Sequence, residues 1–279
     1  MHEIPVTPGR PLVCQLRDDP GQRYRLYHPL TPPRGLLVSV HGISRNTREH
    51  LKLFRPWAEH LGLVLVAPLF DRRRCQDYQR LGRTGRGLRA DRLLQAIVAE
   101  VAERCRLSDD HFHLFGYSGG GQFAHRFAMA HPDQVNTLAV GAAGWYTFPD
   151  PAVRYPRGLA PCRRLPDLRL EPERFLRIPT LVAVGSDDDR PDPELNLHPR
   201  IVRQQGGSRL ERGRRWIAAM VEAARRQGLA TPYRFEVIPG VGHDFRQCME
   251  RGMAPLVAEF IEQHLTPSLP ETTALAANA

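Results

Sequence analysis

His113-Leu114-Phe115-Gly116-Tyr117-Ser118-Gly119-Gly120-Gly121-Gln122 is the stretch on which the fold turns. A short apolar run enters Gly-x-Ser-x-Gly and passes directly into an amphipathic run from Phe123 to His131. That is the strand, sharp turn and helix context in which the motif carries chemistry. Glycines at 116 and at 119 or 120 make room where strand and helix approach closely, because a Cβ there would collide. The turn forces its serine into a sparsely populated backbone region. Ser118 is therefore the candidate nucleophile, and the rest of the chain must supply a base, an acid and an oxyanion site.

Working outward, strands alternate with helices. Leu36–Val40, Leu63–Leu69, Val135–Ala142, Thr180–Val184 and Tyr233–Ile238 are short apolar runs of the kind buried in a parallel sheet. Gln22–His28 alternates in period two and predicts a half-buried antiparallel strand. Thr47–His60 and Leu88–Arg104 place their apolar residues on one helical face. Ser208-Arg209-Leu210-Glu211 opens another helix with a capping box, and a last helix runs from about Cys248 to His264. Asp71–Gly87 is polar and reads as a loop. The pattern predicts an α/β fold, a mostly parallel central sheet with helices on both faces. Residues 1–21 read as an N-terminal extension and 22–265 as the domain. Within it, the Pro- and Arg-rich residues 147–179 read as a lid or loop insertion before the acid-bearing strand. Residues 266–279 are expected to be a disordered tail.

In such sheets the functional groups gather at the carboxyl ends of the strands, and every suspicious motif here sits at one. A serine hydroxyl needs a positioned base. His243, in the glycine-flanked loop after the last strand, is the choice; His125 and His131 read as surface or packing residues, and His198 is a weaker competitor. An acid must orient that histidine. Asp187, Asp188 and Asp189 stand together after the strand that begins at Thr180. Only one can face the imidazole; Asp188, three residues after Gly185, is the choice, with Asp192 the outsider. The oxyanion needs two backbone N–H donors: Gly119, where the helix dipole helps, and Ile43, after His41-Gly42 at another strand end. His41 reads as a residue that orders its loop. Trp145 and Tyr146, followed by Phe148, are candidate walls of a substrate pocket, with ordinary core aromatics as the equal alternative.

With these residues in view, the chain resembles the α/β-hydrolases. His41-Gly42 matches the oxyanion-loop signature, Gly116-Tyr117-Ser118-Gly119-Gly120 the nucleophile elbow, Gly185-Ser186-Asp187-Asp188 the acid turn and Gly242-His243 the histidine loop. The resemblance spans Arg23 to His264. Within the superfamily, the elbow, Gly144-Trp145-Tyr146 and Pro239-Gly240-Val241-Gly242-His243-Asp244 are most similar to bacterial esterases near the polyhydroxyalkanoate-depolymerase and feruloyl-esterase group. The resemblance implies a serine hydrolase that cleaves carboxylic esters through an acyl-enzyme, needing no cofactor or metal. Peptidase or thioesterase chemistry would use the same residues. A non-catalytic binding protein on this fold is the alternative from a different class.

Composition narrows the partners. The chain has 279 residues, 42% of them hydrophobic, enough for one large α/β domain. Its net charge of +9 invites a nucleic-acid reading, but Lys52 is the sole lysine and the arginines are spread along the chain rather than clustered with aromatics. No nucleic acid is expected; a small-molecule ester is. The five cysteines are scattered and never spaced Cys-x-x-Cys, which disfavours a disulfide framework or zinc site. No membrane span is expected, and Met1-His2-Glu3-Ile4-Pro5 lacks the regions of a secretion signal, so the expected location is cytoplasmic. Oligomeric state, acyl preference and natural substrate carry no sequence signal.

Overall fold

The computed structural model describes residues 5–108 and 110–265. The expected tail beyond 265 lies outside them. Among the described residues, eight strands form one sheet: β1 (Leu12–Leu16), β2 (Asp19–Tyr27), β3 (Gly35–Val40), β4 (Leu63–Leu69), β5 (Phe112–Tyr117), β6 (Val135–Gly141), β7 (Thr180–Gly185) and β8 (Tyr233–Ile238). Their spatial order is β1-β2-β4-β3-β5-β6-β7-β8. The β1–β2 and β2–β4 pairings are antiparallel; all others are parallel.

Burial explains this arrangement. Every residue of β5 and β7 is buried, as are five of six in β3, because helices cover both faces there. The outer strands β1 and β2 instead alternate, Cys14, Leu16, Tyr24 and Leu26 pointing into the core. The sheet thus begins before residue 22. Leu12, Cys14 and Leu16 fall in period two, and pairing with β2 buries that face, so the stretch read as an extension supplies the edge strand instead.

The helices are α1 (Thr47–Leu61), α2 (Ala90–Cys105), α3 (Gly119–Ala130), α4 (Pro172–Phe175), α5 (Pro199–Gln205), α6 (Arg209–Arg226), α7 (Phe245–Cys248) and α8 (Ala254–Glu262). The single long C-terminal helix expected from sequence is broken into α7, a π-helical turn at Met249–Met253 and α8, with Gly252 at φ 127° forming the break. Register fixes the layers. Val140 and Val182 are partners on one face, where Gly121 of α3 and Gly213 of α6 press against them. Ser39 and Gly141 belong to the opposite face, where His50 of α1 bonds Ser39 and Met253 abuts Gly141.

Strand order reverses beside β3: β4 lies on one side, β5 on the other. The crevice at that switch point is where such sheets place ligands, and the loops after β3 and β5 open into it. The polar stretch 71–87 is not an open loop. Cys75, Tyr78 and Leu81 are buried, with a 3-10 turn at Tyr78–Arg80. Residues 147–179 have little regular structure but are pinned by buried Tyr155, Leu165 and Phe175 and by the Arg89–Asp167 ion pair at 2.7 Å.

Candidate active site

Ser118 joins β5 to α3 at φ 53°, ψ −114°, a conformation that side-chain-bearing residues adopt only when their surroundings enforce it. The enforcement is visible in the glycines. A Cβ on Gly116 would lie 2.2 Å from the Gly120 carbonyl oxygen, and one on Gly120 would lie 2.1 Å from that of Val40. Backbone cannot yield at those distances, so strand, turn and helix interlock only with glycine at both positions. The Ser118 N–H donates to the Gly141 carbonyl at 2.8 Å, tying the turn to β6.

His243 reaches Ser118 from the loop after β8. Its Nε2 lies 2.9 Å from Ser118 Oγ, and its Nδ1 lies 2.9 Å from Asp188 Oδ2. Tyr117 stacks on the imidazole with ring centroids 5.3 Å apart. Asp188 follows β7 and is 3% exposed, whereas Asp187 and Asp189 point to solvent, bonded to Ser186 and Arg190 respectively. Of the aspartate run, Asp188 alone meets the histidine.

The second carboxylate oxygen of Asp188 accepts from Arg209 Nη1 at 3.0 Å. Arg209, 1% exposed at the start of α6, also grips Asp192, with Nη2 donating to Oδ1 at 3.0 Å and Nη1 donating to Oδ2. That hydrogen-bonded guanidinium holds the Asp192 carboxyl below its ordinary range. Asp192 therefore lies beside the acid, one guanidinium removed from the histidine. Nothing in the sequence signals Arg209, which reads there only as part of a capping box.

Across the crevice, the β3 loop comes close. A Cβ on Gly42 would touch the Ser118 Cβ at 3.4 Å, and Ile43 Cγ2 lies 3.3 Å from where a Gly119 Cβ would be. Among the described residues neither the Ile43 nor the Gly119 N–H has an internal acceptor, so two donors flank the serine. His41 holds this loop: its Nδ1–H donates to the Gly42 carbonyl at 2.7 Å while Nε2 accepts from the Phe70 N–H at 3.0 Å. Complete burial pushes its pKa down to about 4, so it stays neutral in that role. Tyr78 Oη donates to the His41 carbonyl at 3.2 Å, and both Tyr78 Oη and Gln79 Nε2 stand within 2.7 Å of the space a Gly119 Cβ would fill. These two residues line the mouth without any sequence signal, since they come from the stretch that reads as loop.

The remaining histidines lie elsewhere. His125 is fully buried between the Gly121 carbonyl and the Thr147 N–H, His131 pairs with Asp91, and His198 caps α5. The two aromatic candidates part company. Tyr146 is fully buried, stacked on Trp216 with ring centroids 4.8 Å apart, and is core rather than pocket wall. The reason is that Gln205 bonds both its N–H and its carbonyl at 2.8 Å and turns the ring inward. Trp145, next to it, packs against Arg126 at 4.3 Å and is one wall of a cleft, although only 5% exposed. Phe148 is partly buried against the core. Cys248 and Cys105 are buried thiols whose pKa values burial raises.

Among the described residues, no helix is long and apolar enough to cross a membrane, and no cluster of three or more His, Cys, Asp or Glu could hold a metal. No family model and no curated protein matches the chain. Solved structures do. Poly(aspartic acid) hydrolase-1 from Sphingomonas sp. KT-1 superimposes with a TM-score of 0.72 at 22% identity, over 85% of this chain and 93% of that one. The poly(3-hydroxybutyrate) depolymerase LpqC from Bordetella parapertussis gives 0.71 at 26% identity, over 88% and 85%. An S-formylglutathione hydrolase from Agrobacterium tumefaciens gives 0.60 at 15% identity, over 92% and 95%. The chain has the α/β-hydrolase fold and resembles the depolymerase and feruloyl-esterase group.

Proposed function

We propose that this α/β-hydrolase-fold protein is a serine hydrolase of carboxylic esters. The observation that carries the reading is the His243 imidazole, which spans Ser118 Oγ and Asp188 Oδ2 at 2.9 Å on each side. In the proposed reaction, Ser118 Oγ attacks the acyl carbon while His243 Nε2 takes its proton. Asp188 holds the Nδ1–H and stabilises the imidazolium. The Ile43 and Gly119 N–H groups bind the developing oxyanion, the latter aided by the N-terminus of α3. The imidazolium protonates the leaving alkoxide, and water then cleaves the acyl-enzyme by the same proton path in reverse. The hydrolase names of the structural neighbours support the class. Residues 147–179 would wall the substrate entrance rather than swing over it, being tied down by the Arg89–Asp167 pair and the Thr84–Arg164 backbone bond.

A fluorophosphonate probe and short-chain aryl esters test this reading. The wild-type protein should label covalently and hydrolyse the esters, and Ser118→Ala should do neither, with a loss of about 10^4-fold or more. A folded wild-type protein that neither labels nor turns over ends it.

A further inference from the structure

We propose that the cleft beside Trp145 is a substrate subsite for carboxylate groups, so that the preferred ester carries negative charge at the end remote from its reacting carbonyl. This deepens the hydrolase reading and rests on it for the identity of the reacting end.

The cleft encloses about 450 Å³, and its walls include Arg80, Arg83, Arg157, Arg200 and His198, with Trp145 among them and no carboxylate. Arg80 and Arg83 are fixed by the buried Asp77, at 2.8 and 2.7 Å. One carboxylate thus orders two guanidiniums and neutralises only one. Arg157 and Arg200 have no carboxylate within ion-pairing distance among the described residues. Beneath them Arg126 is fully buried, 4.3 Å from the Trp145 ring, and its Nη2 has no hydrogen-bond partner. Uncompensated guanidiniums converging on one concave surface favour planar anions, which they bind through paired N–H donors.

The cleft is placed to serve the serine. Arg80 follows Gln79, whose side chain reaches the Gly119 position. Arg126, which packs on Trp145 from behind the cleft wall, lies eight residues along α3 from Ser118, about 12 Å at the helical rise. Arg83 also lines a second trough, of about 870 Å³, whose other walls include Arg154, Arg163, Arg164 and Arg169, again without a carboxylate. An extended chain bearing several carboxylates fits this run of guanidiniums. A single-stranded nucleic acid fits poorly, because it needs open aromatic faces for its bases and Trp145 is only 5% exposed.

The test compares 4-nitrophenyl hydrogen sebacate, which carries a distal carboxylate, with its neutral methyl ester. Wild-type kcat/KM should favour the acid by about tenfold at low salt, and the ratio should fall towards one at about 0.5 M salt. Arg157→Gln with Arg200→Gln should abolish the preference, while Arg225→Gln, on the exposed face of α6, should retain it. Binding is read separately from turnover by the fluorescence change of Ser118→Ala on titration with short poly(acrylic acid), with Trp145→Phe identifying the reporter. Polyacrylate binding that the double variant weakens about tenfold supports the subsite even if no ester is turned over, in which case only the hydrolase reading fails. Turnover without acid preference and without polyacrylate binding overturns the subsite alone. Tighter binding of pyrophosphate or of a single-stranded oligonucleotide than of polyacrylate at equal salt overturns the carboxylate assignment.

Discussion

At the scale of single residues, the acid of the site is held from two sides. Asp188 gives one oxygen to His243 and the other to Arg209, and Arg209 is shared with Asp192. The group therefore contains two carboxylates and one guanidinium around the imidazole. Asp188→Asn should lower kcat by about 10^4-fold, because an amide no longer selects the required tautomer. Asp187→Asn and Asp189→Asn should leave the rate alone, since both point to solvent. Equal losses in all three variants would reject Asp188 as the acid. Arg209→Met leaves the Asp188 and Asp192 carboxylates without their shared cation, so stability in urea unfolding should fall by about 3 kcal/mol. Asp192→Asn, which keeps Asp188 on the guanidinium, should cost less. Equal losses in the two variants would show that Asp188 does not depend on Arg209. Gly120→Ala tests the elbow itself: its Cβ meets the Val40 carbonyl at 2.1 Å, and a loss of about 3 kcal/mol in urea unfolding is expected.

At the scale of elements, α6 does more than cover the sheet. Its first turn presents Arg209 to the aspartates and Arg212 to three carbonyls, those of Gly206, Gly144 and Asn196 at 2.9, 2.7 and 3.0 Å. Arg212 is fully buried without a carboxylate, and burial lowers its pKa to about 10. It joins the loop after β6 to the segment before α5, so Arg212→Leu should strip three buried acceptors of their donor. A drop of about 3 kcal/mol in stability is expected, measured by chemical denaturation, and a change below about 0.5 kcal/mol would show that water replaces it. This helix also marks the boundary of what the amino-acid sequence reveals. The elbow, the aspartate turn and the Gly242-His243 loop are readable because each is a local pattern at the end of an apolar run. The Ser208 cap is local too, and is found as expected, bonding the Glu211 N–H at 3.2 Å. The reach of Arg209 to a carboxylate 21 positions earlier is not local. Tyr78 and Gln79 are hidden for the same reason: their segment is polar in composition, and only the packing of Tyr78 against Phe70 and Phe123 turns it inward. Edge strand β1 escapes notice because its alternation spans only five residues among prolines and turn formers.

At the scale of the whole molecule, the core encloses several histidines that must stay neutral. Burial lowers the pKa values of His41 and His113 to about 4, and those of His50 and His125 well below the ordinary value. In the unfolded chain each would take a proton below about pH 6.5. The unfolded state then binds more protons than the folded one, so stability falls as pH drops from about 6.5 towards 4. Each histidine contributes a slope of up to about 1.4 kcal/mol per pH unit. Urea midpoints at about pH 7.5 and pH 5 should differ accordingly, and a flat profile would show that these imidazoles are hydrated. The same long-range architecture bears on how the protein matures. Ser118 and Asp188 stand 125 and 55 residues from His243 along the chain, and the histidine loop is carried by β8 at the far edge of the sheet. Contacts of such separation form late in folding. Helical circular dichroism should therefore recover before fluorophosphonate reactivity when the denatured chain is diluted into buffer. The probe then serves as a census of finished molecules, counting only chains whose last strand has docked.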